Sequence, residues 1–253
     1  MALLELRDVT MQFGGLVAVN TVSMSLEPQD LYGLIGPNGA GKTTLFNVIT
    51  GVYCPTGGDI RFDGRAIAGR PPYEITAGGI GRTFQNIRLF TAMSVLDNVK
   101  VAFDRKQMAG VFAAMLHGAT HEAEEARIDT EARELLDIFK LGDVADELAS
   151  SLPYGRQRRL EIARAMATRP KLLCLDEPAA GMNPQESKEL MELIHWIRDR
   201  FALTILLVEH NMKVVMGVCE RVHVLDYGST IALGTPDEVQ ADPKVIEAYL
   251  GGA

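Results

Sequence analysis

Residues Gly36, Pro37, Asn38, Gly39, Ala40, Gly41, Lys42 and Thr43 carry the spacing G-x-x-x-x-G-K-[ST], and an acidic pair, Asp176 and Glu177, closes the apolar run Leu172–Leu175. The first pattern cradles phosphate when it joins a strand to a helix. Glycines without a Cβ let successive backbone N–H groups converge, and the helix adds the positive end of its dipole. The context fits: Leu31–Ile35 ahead of the loop is an apolar strand-like run, and a helix-like stretch begins at Thr44, which continues the cradle. A triphosphate suits such a nest. Lys42 would reach the β- and γ-phosphates as a point charge, and Thr43 would offer a hydroxyl to Mg²⁺, which prefers oxygen ligands in octahedral array. Asp176 is the expected second Mg²⁺ holder, and Glu177 the general base that polarises an attacking water.

The elements that must position these groups are readable in outline. Leu4–Val9 and Val22–Leu26 alternate, and Asp59–Phe62 is followed by a turn at Asp63-Gly64, which predicts an antiparallel β layer. From Ser94 to about Leu141 the pattern shifts to helix, with i,i+4 charge pairing expected around His121–Arg133. After Lys171, apolar runs at Leu172–Leu175, Leu203–Val208 and Arg221–Leu225 alternate with helical stretches, which predicts a parallel sheet covered on both faces. Asn183-Pro184 and Thr235-Pro236, each with a glutamate in the first turn, mark two helix starts. In such a sheet Asp176 and Glu177 would emerge at the strand ends where the phosphate loop also opens.

The 253 residues are enough for a substantial core, and with 47% hydrophobic and 23% charged residues the chain reads as globular rather than disordered. A formal net charge of −8 disfavours nucleic acid as the partner. Three cysteines, Cys54, Cys174 and Cys219, have no metal-ligand spacing and suit a reducing cytosol; Cys174 reads as a small buried hydrophobe. The N-terminus acquires charges too soon for a secretory leader, and no run approaches the roughly 18 apolar residues of a membrane span. His117 and His121 are four apart but have no third ligand nearby, and Gly110–Leu116 is apolar but short, so core packing or a membrane-subunit contact is expected there.

Further motifs carry a resemblance. Thr83-Phe84-Gln85 resembles the Q-loop of ABC-transporter ATPases, Leu152-Pro153-Tyr154-Gly155-Arg156-Gln157-Arg158-Arg159 their signature motif, Ala180-Gly181-Met182-Asn183 their D-loop and Glu209-His210 their switch histidine, in matching order and spacing. Within that family, Phe13–Val19, Phe84–Phe90, Arg159–Ala165 and Asp242–Gly251 resemble ATP-binding subunits of branched-chain amino acid uptake transporters. The resemblance implies an α/β P-loop NTPase of the ABC-ATPase fold: a RecA-like core with an antiparallel β subdomain (1–88 and 165–253) and an inserted helical subdomain (89–164). It implies ATP and Mg²⁺ as ligands, with Phe13 stacking on adenine or else a strand-end core aromatic, and Gln85 sensing Mg²⁺ or the attacking water. His210 would meet the γ-phosphate, while Tyr154 and Gly155 would face ATP bound by a second ATPase subunit. Partners implied are transmembrane permease subunits, that second ATPase and, indirectly, an extracytoplasmic binding protein, with the chain peripheral on the cytoplasmic face.

The chain departs from the common signature L-S-G-G-Q at Pro153, Tyr154 and Arg156, and from the usual D-loop aspartate at Asn183, which also reads as a helix N-cap. Arg156 either contacts phosphate or joins a solvated face with Arg158 and Arg159; the solvated face is the favoured reading. Urea, amide and other amino acid importers share these features, and a soluble ABC assembly factor is the rival of a different class.

Overall fold

The computed structural model describes residues 1–103, 118–210 and 212–250. The run Gly110–Leu116, His117, the side chain of His121 and Gly251 lie outside them. The chain divides into two compact units, Met1–Arg82 with Lys171–Pro178 and Met191–Ala253, and Thr83–Pro170 with Ala179–Leu190.

The first unit contains two sheets. Strands β1 (Leu4–Phe13), β2 (Leu16–Leu26), β4 (Gly57–Phe62) and β5 (Arg65–Ala66) form an antiparallel sheet in the order β2-β1-β4-β5. The second has the order β10-β9-β3-β8-β7-β6 and uses β3 (Leu31–Ile35), β6 (Ile80–Arg82), β7 (Leu172–Asp176), β8 (Thr204–Val208), β9 (Arg221–Asp226) and β10 (Ser229–Gly234). Every residue of β3, β7 and β8 is buried, as expected of central parallel strands covered on both faces. A continuous core joins Leu4, Leu26 and Ile60 of the first sheet to Leu34, Cys174 and Leu206 of the second through Leu45, Phe46 and Ile49 of helix α1 (Lys42–Ile49). Burial pushes the Cys174 thiol up to about 12, so it behaves as the small hydrophobe expected.

Three features of this unit differ from the sequence reading. The second sheet is not wholly parallel: β10 runs antiparallel to β9 along the edge, because Tyr227 and Gly228, at φ 44° and 80°, close a two-residue hairpin between Asp226 and Ser229. Two successive positive φ values match the twist of paired strands. The three-residue β6 is too short to show a period. Helix α2 (Pro72–Gly78) was likewise unanticipated; proline at its first turn and Gly79 at its end, at φ 113°, were the available signals.

In the second unit, α3 (Val95–Phe103) packs on both α4 (Gly118–Ile138) and α5 (Tyr154–Ala167). Val95, Val99, Ala132, Leu136, Phe139, Leu160 and Ala163 are buried there. The expected charge pairing along α4 is present: Arg127 meets Glu131 at 2.7 Å and Arg133 meets Asp129 at 2.8 Å, each four residues apart. Buried Asn98 accepts from the Phe90 N–H and donates to the carbonyls of Phe90 and Ser94, which fixes the loop entering α3. Helix α6 (Pro184–Phe201) starts in this unit and passes into the first at Met191; α7 (Met212–Val218), α8 (Pro236–Ala241) and α9 (Pro243–Leu250) complete the first unit. Both expected helix starts hold. Thr235 and Glu238 form a reciprocal capping box, and the Asn183 side chain accepts from the Glu186 N–H at 2.9 Å while Glu186 accepts from the Asn183 N–H at 3.1 Å.

One buried group gives the first unit an acid-sensitive element. His223 on β9 is fully buried, with Nε2 2.8 Å from the Thr230 hydroxyl and Nδ1 3.4 Å from the Tyr32 hydroxyl. Desolvation lowers its pKa from 6.5 to about 4. Between those values the unfolded chain takes up a proton that the native imidazole does not, so stability falls as pH falls through that window. The expected loss is about 2 kcal/mol on going from about pH 7.5 to about pH 5. Urea unfolding of the wild type and His223→Gln at both pH values checks this; an equal pH dependence in the two proteins would exclude His223 as the source.

Candidate active site

Three adjacent strands deliver the chemistry. The C-terminal edge of β3 opens into the glycine loop, that of β7 ends in Asp176 and Glu177, and that of β8, which lies between them, runs into Glu209 and His210. The register holds the edge level, since Leu34 pairs with Val208 and Asp176 also pairs with Val208. In an open α/β sheet this edge is where ligands bind.

The loop requires glycine on steric grounds. Gly36 has φ 150°, and a β-carbon there would lie 2.1 Å from the Leu225 carbonyl oxygen; Gly41 has φ 96°, and its β-carbon would lie 2.4 Å from the Ala18 carbonyl oxygen. Those residues hold the loop against β9 and β2, while Asn38 and Gly39 remain exposed at its crest. Lys42 is buried, and its Nζ donates to the Gly36 carbonyl at 2.7 Å and the Pro37 carbonyl at 2.8 Å. Burial lowers its pKa, and the charges of Glu177 and Asp176 oppose that shift. The ammonium therefore sits over the loop in the field of both acids.

Asp176 is 2% exposed, and its Oδ2 lies 4.0 Å from the Arg82 guanidinium. Arg82 was not singled out from the sequence. It closes β6, opposite Cys174 of β7, donates to Asn47 Oδ1 at 2.7 Å and to the Thr50 hydroxyl, and covers the Phe46 ring. A cation there places a positive charge beside Asp176 in the buried edge of the sheet. Glu177 has a left-handed backbone, φ 46°, held by its N–H bond to the Val208 carbonyl at 2.9 Å. Such a conformation costs of order 1 kcal/mol and clusters at functional positions. The Glu177 carboxylate meets His210 Nδ1 at 3.3 Å. Oxygen donors at Thr43 and Asp176 suit Mg²⁺, which is usually held by one or two carboxylates together with substrate phosphates. The loop, whose Gly36 and Gly41 have no room for a β-carbon, suits the phosphates themselves.

Phe13 ends β1 and is 42% exposed, so it is not a core aromatic; Tyr53 stands edge-on to it, ring centroids 5.2 Å apart. No motif marked Tyr53. A cavity of about 790 Å³ lies over the loop, walled by Asn38, His210, Asp226 and Tyr227 and, from α9, by Lys244 and Tyr249. The contribution of α9 to this cavity was also unforeseen. Phe13, Gly36–Thr44, Asp176, Glu177 and His210 all belong to the first unit, whereas Gln85, Tyr154, Gly155 and Asn183 belong to the second.

Within the second unit the Tyr154 ring lies against Gly181, where a β-carbon would be 3.2 Å from Cε1, and Gly155 lies against the Glu186 carboxylate. Pro153 occupies the N-cap position of α5 with extended backbone. Arg156 pairs with Asp143 at 2.9 Å on the surface. The expectation that Arg158 and Arg159 share that solvated face is corrected: the Arg159 side chain is 11% exposed and paired with Glu189 at 3.1 Å, and that of Arg158 is fully buried and paired with Glu161 at 2.8 Å. An arginine-rich turn looks solvated in sequence, and only the packing of the Phe84–Gln85 segment on α5 encloses this one.

A family profile described as ABC transporter matches residues 19–180. The chain belongs to the ABC transporter family. A second profile, described as branched-chain amino acid ATP-binding cassette transporter, matches residues 229–253. Among relatives of this ABC chain, the high-affinity branched-chain amino acid transport ATP-binding protein LivG of Escherichia coli (strain K12) is 47% identical over 251 residues, 99% of this chain and 98% of the relative. The corresponding protein BraF of Pseudomonas aeruginosa is 45% identical over 99% of this chain and 98% of its own length. A solved ATP-binding cassette of an ABC transporter in its ADP conformation superposes with a TM-score of 0.85 at 30% identity, covering 99% of each chain. The fold is thus that of the ABC ATPase cassettes, as the resemblance implied, and the chain is an ATP hydrolase of that family. Among the described residues no helix is long and apolar enough to cross a membrane.

Proposed function

We propose that this chain is the ATP-hydrolysing subunit of an importer for branched-chain amino acids. It works from the cytoplasmic face on transmembrane permease subunits, paired with a second ATPase subunit. The observation that carries the catalytic part is the meeting of Lys42, Asp176, Glu177 and His210 at one edge of β3, β8 and β7. The branched-chain assignment is supported by similarity to LivG and BraF along nearly the whole chain.

In this reading ATP lies with its phosphates in the loop Gly36–Thr44 and its adenine against Phe13. Lys42 exchanges its carbonyl partners for the β- and γ-phosphate oxygens. Thr43 and Asp176 would hold Mg²⁺, which when bound would neutralise charge on the phosphates, and Gln85 is the residue that the resemblance assigns to sensing the metal or the attacking water. Glu177 orients and deprotonates the water, and His210, already 3.3 Å from Glu177, donates to the γ-phosphate and keeps that carboxylate aimed. Tyr154, Gly155 and Asn183 face the ATP held by the second ATPase subunit, so nucleotide joins the two halves and hydrolysis releases them. The binding protein outside the membrane acts on this subunit only through the permease.

Uptake by the reconstituted complex tests the substrate. Labelled leucine is expected to accumulate with ATP, and labelled urea and short amides are not; the reverse result transfers the assignment to a urea or amide importer. Co-purification with polytopic subunits separates the transporter from a soluble assembly factor.

A further inference from the structure

Arg158 and Glu161, one turn apart on α5, are the most deeply buried ion pair among the described residues, with 0% and 1% of their side chains exposed. All but one of their remaining bonds lead away from the helix. Arg158 Nη1 donates to the Phe84 carbonyl at 2.7 Å and Nη2 to the Gln85 carbonyl at 2.8 Å and the Tyr154 hydroxyl at 3.1 Å. Glu161 Oε1 accepts from the N–H of Arg88 at 3.1 Å and of Phe84 at 3.4 Å. The two side chains thus bind both carbonyls and amides of one five-residue segment. Arg164, one turn further, donates to the Arg88 carbonyl and covers the Phe90 ring, while Arg88 covers Phe84. Tyr154 in turn packs on Gly181.

A buried ion pair is a poor source of stability, because the desolvation of both charges offsets their attraction; what it can supply is one defined geometry. Here that geometry is backbone position. We infer that Arg158 and Glu161 are positioning residues that fix the Phe84–Arg88 segment to the signature helix, so that Gln85, Tyr154 and the Gly181 turn move as one piece. The pair acts through the Gln85 backbone, and through Tyr154, which stands where the common signature has glycine. This rests on the reading above that Gln85 serves the ATP site.

The chemistry of the pair limits what can replace it. Lysine at 158 keeps the charge but, without a planar fork, reaches fewer of the four acceptors. Replacing both residues by apolar side chains of similar volume leaves a packed helix, since buried ion pairs tolerate that exchange, but releases the bonds that these two side chains make to the segment.

The test compares the purified full-length chain with Arg158→Lys and with the double variant Arg158→Met, Glu161→Leu. It measures thermal melting, ATP titration, steady-state ATPase and amide hydrogen exchange of residues 84–88. The double variant is expected to melt cooperatively and bind ATP within about twofold of wild type, with kcat about tenfold lower and faster exchange confined to that segment. Arg158→Lys is expected to fall between the two. A kcat within about twofold of wild type in a folded variant, or unchanged exchange at residues 84–88, overturns the inference. So does a kcat loss that only tracks the unfolded fraction, and Arg158→Lys supplies that reading if the double variant fails to fold. A wild-type chain without ATPase activity would instead defeat the proposed function and leave the segment's exchange as the measure of the pair.

Discussion

Glu177→Gln is expected to bind ATP as tightly as the wild type and to hydrolyse it about a hundred- to ten-thousand-fold more slowly, the usual contribution of a positioned general base. The substitution is nearly isosteric, and the groups assigned to phosphate and metal, Lys42, Thr43 and Asp176, are untouched. The N–H bond of residue 177 to the Val208 carbonyl, which accompanies its left-handed backbone, is also untouched by the substitution. What changes is the proton acceptor and the charge facing His210 Nδ1 at 3.3 Å. Binding without turnover should also accumulate a nucleotide-bound dimer, since ATP that is not consumed continues to join two subunits. Single-turnover kinetics, nucleotide titration and size-exclusion chromatography with ATP and Mg²⁺ check the three parts. Unchanged turnover removes Glu177 from its role. Lost binding shows that the carboxylate is needed for nucleotide and not only for water.

Lys42→Ala is expected to weaken ATP binding itself by about ten- to a hundredfold, the size of one lost charge-assisted hydrogen bond. The ammonium donates to the carbonyls of Gly36 and Pro37, and a phosphate oxygen offers a stronger partner at the same place. The variant also leaves Asp176 and Glu177 without the cation that their charges favour, so electrostatic repulsion toward the incoming triphosphate rises. Calorimetric titration measures the affinity, and melting without nucleotide separates a binding defect from a folding one. Wild-type affinity in a folded Lys42→Ala protein would contradict the loop assignment. The contrast between the two variants is the informative result: one loses the reaction and keeps the ligand, the other loses the ligand.

Much of the first unit was legible because its signals are local. A glycine loop must occupy backbone conformations that a β-carbon forbids, as at Gly36 and Gly41, and five-residue apolar runs without alternation, as in β3, β7 and β8, have few folded uses besides buried parallel strands. Helix starts at Asn183 and Thr235 were readable because a cap and its glutamate are three residues apart. The antiparallel edge strand β10 escaped because orientation depends on a hairpin two residues long, and β6 because three residues show no period.

The sequence by itself determined which atoms could meet a phosphate, a metal and a water, since the lysine, the hydroxyl, the two acids and the histidine lie in motifs set by nearest neighbours in the chain. Only the tertiary structure decided what surrounds them. Arg82 beside Asp176, Tyr53 beside Phe13, the α9 wall of the loop cavity, and Arg158 bound to carbonyls as far as 74 residues away all depend on segments brought together by packing. The reason is that an arginine in a helix has the same local sequence whether its charge is met by water or by a buried carbonyl. The difference is made by whichever distant backbone the core places against it.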